Sequence, residues 1–173
     1  MADEYLKADL ARYPIRAFLK EQSAWAIWVY RFGRRTLELK PGRIRNLRET
    51  IYWMMFHCVE VFTGISIDYR AAIGPGLRIY HFGNILVHPR ATLGANCTLR
   101  QGVTIGSIEA DGPAPTIGNN VEFGAFAQVL GGVHVGDNAK IGALSLVLSN
   151  VPANFTAVGV PARIIFSRMK AAE

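Results

Sequence analysis

Four histidines, at positions 57, 81, 88 and 134, are the side chains best suited to moving a proton near neutral pH, because an unperturbed imidazole titrates there. They are dispersed along the chain. His57 sits in an apolar helical run and reads as a core or interface group. His88 and His134 fall where a regular repeat turns side chains outward, and His81 stands between Tyr80 and Phe82. The chemistry open to a single imidazole is general acid–base catalysis. The two cysteines, Cys58 and Cys97, lie far apart and form no Cys-x-x-Cys pair, so neither a disulfide framework nor a metal is expected and a reducing compartment fits.

The elements that must hold these groups change character near residue 66. Before it the periodicity is helical. Leu6, Leu10 and Tyr13 recur at helical spacing up to Pro14, a helix follows from Ala24 to Leu39, and Pro41-Gly42 breaks it. A further helix is predicted from Arg43 to about Thr63, with Gly64 as its C-terminal cap. After residue 66 an aliphatic residue returns every sixth position. The first run is Ile67, Ile73, Ile79 and Ile85, a two-residue phase slip follows, and the second is Val87, Leu93, Leu99 and Ile105. Ser107 to Thr116 interrupts, and the third run extends from Ile117 to Val147. Three such hexads make one triangular coil of roughly 18 residues. The aliphatic residue points inward, and a small one four places later, as at Cys97, Ala127, Ala139 and Ser145, points inward near a corner. The expected class is mainly β. It comprises a parallel β-helix over 67–173, whose tail leaves the helix to pack along a side, and a helical region over 1–66 that caps the first coil.

Composition narrows the function. The net charge is +6, and the basic excess lies mainly between Arg31 and Arg48. That stripe reads either as capping and subunit contact or as peripheral attachment to an anionic membrane. Nucleic-acid binding has no motif behind it. The acids Asp3, Glu4 and Asp9 exclude a signal peptide at the N-terminus, and Ile51 to Ile67 is too short and too polar for a membrane span. A cytoplasmic location follows, with the inner membrane face as the site of any lipid contact.

The stretch IGPGLRIYHFGNILVHPRATLGANCTLRQGVTIG resembles the serine O-acetyltransferase branch of the hexapeptide-repeat acetyltransferases. So do VEFGAFAQVLGGVHVGDNAKIGALSLVLSNVP and AVGVPARII. The resemblance implies a left-handed β-helix, a homotrimer with active sites between subunits, and acetyl-CoA as donor. It implies that His81 is the general base, in a motif where Tyr80 replaces an aspartate. It also implies that the pantetheine arm runs past Gly106, Gly124, Ala125, Gly142 and Ala143, with Lys140, Arg163 and Arg168 near the adenosine phosphates.

Two departures bear on the acceptor. The interrupting loop ends Pro113-Ala114-Pro115-Thr116-Ile117, without the Arg-His pair that grips the amino acid in serine acetyltransferases. Ser66 stands where the family has the aspartate that orients the histidine, with Asp68 nearby as a substitute. Tyr80, Asp68 and Asp111, together with Glu109, are the candidate acceptor contacts. With these departures and the Tyr80-His81 pair, the chain looks nearer to the serine-acetyltransferase-like enzymes that O-acetylate polysaccharide sugars, and that resemblance implies O-acetylation of a sugar in a polysaccharide or its precursor. Serine O-acetylation is the alternative, and a non-catalytic β-helix scaffold is the alternative of another class.

Overall fold

The computed structural model describes residues 2–166. Its helices are α1 (Ala2–Ala11), α2 (Ala17–Lys20), α3 (Ser23–Leu37) and α4 (Arg43–Thr63). Pro14 and Pro41 fall in the breaks, where a missing N–H and a fixed φ do least harm. Gly64 ends α4 in the left-handed conformation at φ 65°, and its N–H donates to the Glu60 carbonyl at 2.8 Å. Among the described residues no helix is long and apolar enough to cross a membrane.

From Ile65 the chain winds into coils of three short strands. The first coil is β1 (Ile65–Ile67), β2 (Ala72–Ile73) and β3 (Arg78–Tyr80), and the second is β4 (Ile85–Val87), β5 (Thr92–Leu93) and β6 (Thr98–Arg100). The third is β7 (Thr104–Gly106), β8 (Thr116–Ile117) and β9 (Glu122–Phe123). The fourth is β10 (Gln128–Leu130), β11 (His134–Val135) and β12 (Lys140–Ile141). The last holds β13 (Leu146–Val147), a bridge from Val151 to Val135, and β14 (Phe155–Gly159). Equivalent strands of successive coils pair in parallel, giving three sheets: β1-β4-β7-β10-β13, then β2-β5-β8-β11, then β3-β6-β9-β12-β14. We call these the first, second and third faces of a triangular prism. Its winding matches the left-handed β-helix of hexapeptide repeats. The tail does not leave the helix: β15 (Ala162–Phe166) folds back antiparallel on β14 and extends the third face.

The core follows the six-residue rule. Ile79, Leu99, Phe123 and Ile141 stack inside the third face, and Cys97, Ala127, Ala139 and Ser145 fill the tight inward slots beside corners. Burial pushes the Cys97 thiol up to about 11, so it behaves as a small apolar group. Corners turn through left-handed residues. Asn120, Asn138 and Asn154 all have positive φ, and their amides form a ladder with Asn120 Nδ2 donating to Asn138 Oδ1 and Asn138 Nδ2 to Asn154 Oδ1, each at 3.1 Å.

The helices are fused to the first coil by a buried polar joint. The fully buried Asp9 carboxylate accepts from Arg31 Nε at 2.7 Å, Arg31 Nη2 at 3.1 Å and the Leu77 N–H at 2.7 Å. Arg31 also donates to the carbonyls of Ile73 at 2.8 Å and Gly74 at 2.6 Å. Tyr13, Ala24, Ile27 and Tyr30 pack into the same hydrophobic core as the coil residues.

The strand register relocates the phase slip. Ile85 pairs with Ile65 and Val87 with Ile67, so Ile85 lies in β4 and does not end the first run. Ile79 pairs with Leu99 and Val87 with Ile105, yet eight positions separate the first members and six the second. The two extra residues therefore enlarge the corner between β3 and β4, which contains His81.

Candidate active site

The enlarged corner sets His81 out from the prism. Its backbone takes φ 68°, a conformation that costs most side chains energy, and Gly83 and Asn84 continue the turn at φ 107° and 52°. The imidazole is exposed and has no hydrogen-bond partner among the described residues. A cavity of about 250 Å³ opens beside it, between the segment Lys20 to Ser23 and the side chains of Arg78, Tyr80, His81 and Phe82. Arg78 forms one wall and is fixed there. It pairs with Glu21 through Nη1 at 2.6 Å and Nη2 at 3.1 Å, and lies over the rings of Tyr13 and Tyr80 at 3.8 and 4.3 Å. Arg100, one coil on and in register with Tyr80, stands 5.6 Å from the centre of that ring. Tyr80 thus meets two guanidinium groups, an arrangement that favours its ring in place.

Register places the other candidates. Tyr80 matches Arg100, Thr98 matches Glu122, and Glu122 matches Lys140, so His81, Gln101, Ala125 and Ala143 lie along one edge of the prism, between the third and first faces. Strands are spaced about 4.8 Å apart, which puts Ala143 on the order of 15 Å along the edge from His81. Gly124 and Gly142 belong to the same edge. A Cβ at Gly124 would press on the backbone of Ala143, and one at Gly142 on Val158, so close stacking of coils alone already demands glycine there. Lys140 lies on the adjoining face and meets Glu122 at 3.4 Å. Arg163 is exposed on β15, and Arg168 lies outside the described residues.

Gly106, Asp68 and Asp111 are elsewhere. Gly106 ends β7, Asp68 follows β1, and the loop from Ser107 to Pro115 carries Glu109 and Asp111, all on the edge between the first and second faces. The loop is held to that edge by Arg90, whose Nη2 donates to the Gly112 carbonyl at 2.7 Å. Within one chain the whole first face separates these residues from His81, roughly 15–20 Å for about six residues of extended chain.

Contrary to expectation, Asp68 does not orient His81 of its own chain. Asp68 is instead chelated by Arg70, through Nε at 2.9 Å and Nη2 at 2.6 Å. Its nearer imidazole is that of His88, whose pKa is lowered by partial burial and by the Arg90 charge. His57 is not in the core: it is exposed on α4, 3.6 Å from Glu60. Two residues of this site escape a reading of the sequence. One is Arg100; the other is Gln101, in register with His81, whose Oε1 is buried without a partner. Neither breaks the hexad rule, so no periodic signal marks them; only stacking shows what they adjoin.

Comparison with known proteins agrees with this geometry. Residues 114–149 match the model of the bacterial transferase hexapeptide family (six repeats). A serine acetyltransferase of Synechococcus elongatus is 38% identical over 115 residues, 65% of this chain and 47% of the relative, so the chain spans about half the length of that protein. The crystal structure of Neisseria gonorrhoeae serine acetyltransferase in complex with serine superposes with a TM-score of 0.78 at 32% identity, covering 95% of this chain and 67% of that one. The Brucella abortus serine acetyltransferase in complex with coenzyme A gives 0.78 at 28% identity, covering 95% and 66%. These findings overturn the saccharide reading. These relatives are serine acetyltransferases, so the missing loop Arg-His pair does not by itself support a sugar acceptor.

Proposed function

Because the chain belongs to the hexapeptide-repeat transferases, in the branch of the serine acetyltransferases, we propose that it transfers an acetyl group from acetyl-CoA to the hydroxyl of serine. The observation that carries this reading is His81, unpartnered and thrust out on a corner enlarged by two residues, on the same edge as Ala125 and Ala143. His81 removes the hydroxyl proton as the oxygen attacks the thioester carbonyl. The tetrahedral intermediate collapses, its C–S bond breaks, and the imidazolium returns the proton to the departing thiolate. The product is O-acetylserine and CoA. The pantetheine arm lies along the edge past Gly124, Ala125, Gly142 and Ala143, with Lys140 and Arg163 toward the phosphates. Tyr80 walls the acceptor site.

The division of the candidates between two edges supports a homotrimer. One chain supplies the His81 edge, and its neighbour supplies the edge with Gly106, Asp68 and Asp111. Closed rotational symmetry makes all such clefts equivalent.

The acceptor carboxylate needs a cation that the loop does not provide. Arg100 fills this role: it lies one coil from Tyr80, and no carboxylate of the described residues pairs with it. The test is thiol release from acetyl-CoA with serine, serinamide or threonine as acceptor. Serine is expected to turn over fastest, and Arg100→Gln to raise the KM for serine but not for acetyl-CoA. Thiol release at the hydrolysis rate whatever the acceptor would overturn the assignment. An activity that is undisturbed by loss of His81 would do the same.

A further inference from the structure

His81 and His88 stand on different edges of one chain but at nearly the same height along the prism. A coil climbs one strand spacing, about 4.8 Å, in three corners, or about 1.6 Å per corner. The corner after β1 carries Asp68, the corner after β3 carries His81, and the corner after β4 carries His88. His88 therefore lies only about 1.6 Å above the level of His81, while Asp68 lies about 3.2 Å below it and the loop over 107–115 starts about 6.4 Å above. A rotation axis running along the prism leaves every height unchanged. The group that the first–second edge of a neighbouring copy brings level with His81 is then His88.

The imidazole of His88 is fixed in place and has a free donor. Its Nδ1 accepts from the Arg90 N–H at 3.1 Å and its carbonyl accepts from the Ala91 N–H at 2.9 Å, so a tight turn holds the ring. Partial burial and the Arg90 charge lower its pKa, which keeps the ring neutral. With Nδ1 engaged as an acceptor, the hydrogen of the neutral ring sits on Nε2. Among the described residues Nε2 has no partner. Asp68, which precedes His88 by one coil in register, does not capture it, because Arg70 binds both carboxylate oxygens at 2.9 and 2.6 Å. The same ion pair leaves little net negative charge to repel an incoming anion. Arg90 donates to the Gly112 carbonyl at 2.7 Å, so the turn that holds His88 also ties down the loop above it.

We propose that the partner subunit's His88 enters the cleft opposite His81 and donates its Nε2–H to the acceptor carboxylate. Arg100 of one chain and His88 of the next then hold the two carboxylate oxygens, each through a charge-assisted hydrogen bond. The proposal rests on the trimeric, serine-directed reading above. The imidazole that the loop lacks is supplied from the coil beneath it.

Amide substitutions split the two jobs of the ring. Asparagine puts an oxygen where Nδ1 stood, and glutamine puts an N–H where Nε2 stood. His88→Asn is expected to keep the parent Tm and the KM for acetyl-CoA, and to raise the KM for serine about 10–100-fold, the range of a lost hydrogen bond to a charged group. His88→Gln is expected to recover most of that loss. Co-expression of a His81→Asn chain with a His88→Asn chain reads which subunit contributes. If adjacent chains share the site, about one cleft in four keeps both native histidines, and activity at low serine is expected to rise to about a quarter of the parent's. Service within one chain leaves no cleft intact and no gain. A crosslink reads the placement without turnover. Cys97 is fully buried, so a chain with Cys58→Ser, His81→Cys and His88→Cys has two reactive thiols. Treated with bismaleimidoethane, it is expected to run as a covalent trimer on a denaturing gel. A monomer band there, an unchanged KM for serine in His88→Asn, or no gain on co-expression would overturn the assignment of His88. A covalent trimer from a chain whose parent releases no thiol with serine would uphold the placement and overturn the acceptor.

Discussion

Replacing His81 separates two jobs that the residue performs, and the backbone decides how. Its φ of 68° lies where most side chains crowd the following carbonyl, at about 1–2 kcal/mol. Asparagine tolerates this region better than alanine, and glycine carries no penalty there. His81→Asn therefore removes the base and keeps the corner, whereas His81→Ala removes the base and strains it. Positioned base catalysis contributes about 10²–10⁴-fold, or about 3–5 kcal/mol of barrier at 1.36 kcal/mol per tenfold. Both variants are expected to lose that much kcat in the thiol-release assay. Stability is expected to part them: His81→Asn melts with the parent, and His81→Ala about 2–4 °C lower for each kcal/mol of added strain in a chain of this size. A His81→Asn enzyme within a few-fold of the parent would refute the assignment of the base. Equal Tm values for the two variants, both below the parent, would refute the argument from the corner.

Three further outcomes follow from the geometry. Asp9→Ala is expected to cost about 3–5 kcal/mol in urea unfolding, because Arg31, only 2% exposed, would be left charged and unpaired at the joint between helices and prism; a loss below about 1 kcal/mol would show that the joint is dispensable. Gly124→Ala is expected to destabilise by about 1–3 kcal/mol, since its new methyl would collide with the backbone of Ala143 and not with a movable side chain; an unchanged midpoint would mean that the coils can spread. His88 is held below its ordinary pKa by burial and then by Arg90. The unfolded chain therefore binds its proton first, so the contribution is complete above the unfolded value near 6.5 and is lost as pH falls through it toward the folded value. His88→Gln is expected to lessen the fall in stability between about pH 7.5 and pH 5, and an identical acid limb in parent and variant would count against it.

How much of this is legible in the residues depends on the range of the interaction that decides each feature. The six-residue recurrence of aliphatics and the small residues at Cys97, Ala127, Ala139 and Ser145 are one-dimensional facts, because each coil repeats the same local demand for volume. Pro14, Pro41 and Gly64 punctuate the helices through their own φ preferences, which also need no neighbours. The phase slip is misplaced when read along the chain, because Ile85 and Val87 are both aliphatic and both point inward. Only their pairing with Ile65 and Ile67 shows that the extra residues precede them, in the corner that carries His81.

The site is where sequence runs out. Asp68 is close to Ser66 along the chain, and that nearness alone suggests His81 as its partner; the triangular winding puts it on another edge, where Arg70 takes both its oxygens. Arg100 and Gln101 lie far from Tyr80 and His81 along the chain and next to them in space, since parallel stacking converts a full coil of sequence into one strand spacing. The repeat, the helical cap and the histidine that stands out for proton transfer are legible in the residues, because those rest on local volume, local backbone preference and residue chemistry. Tertiary structure alone decided which edge each group occupies, and that the candidate groups of one chain fall on two edges, because those depend on how many residues each corner consumes before the next coil closes.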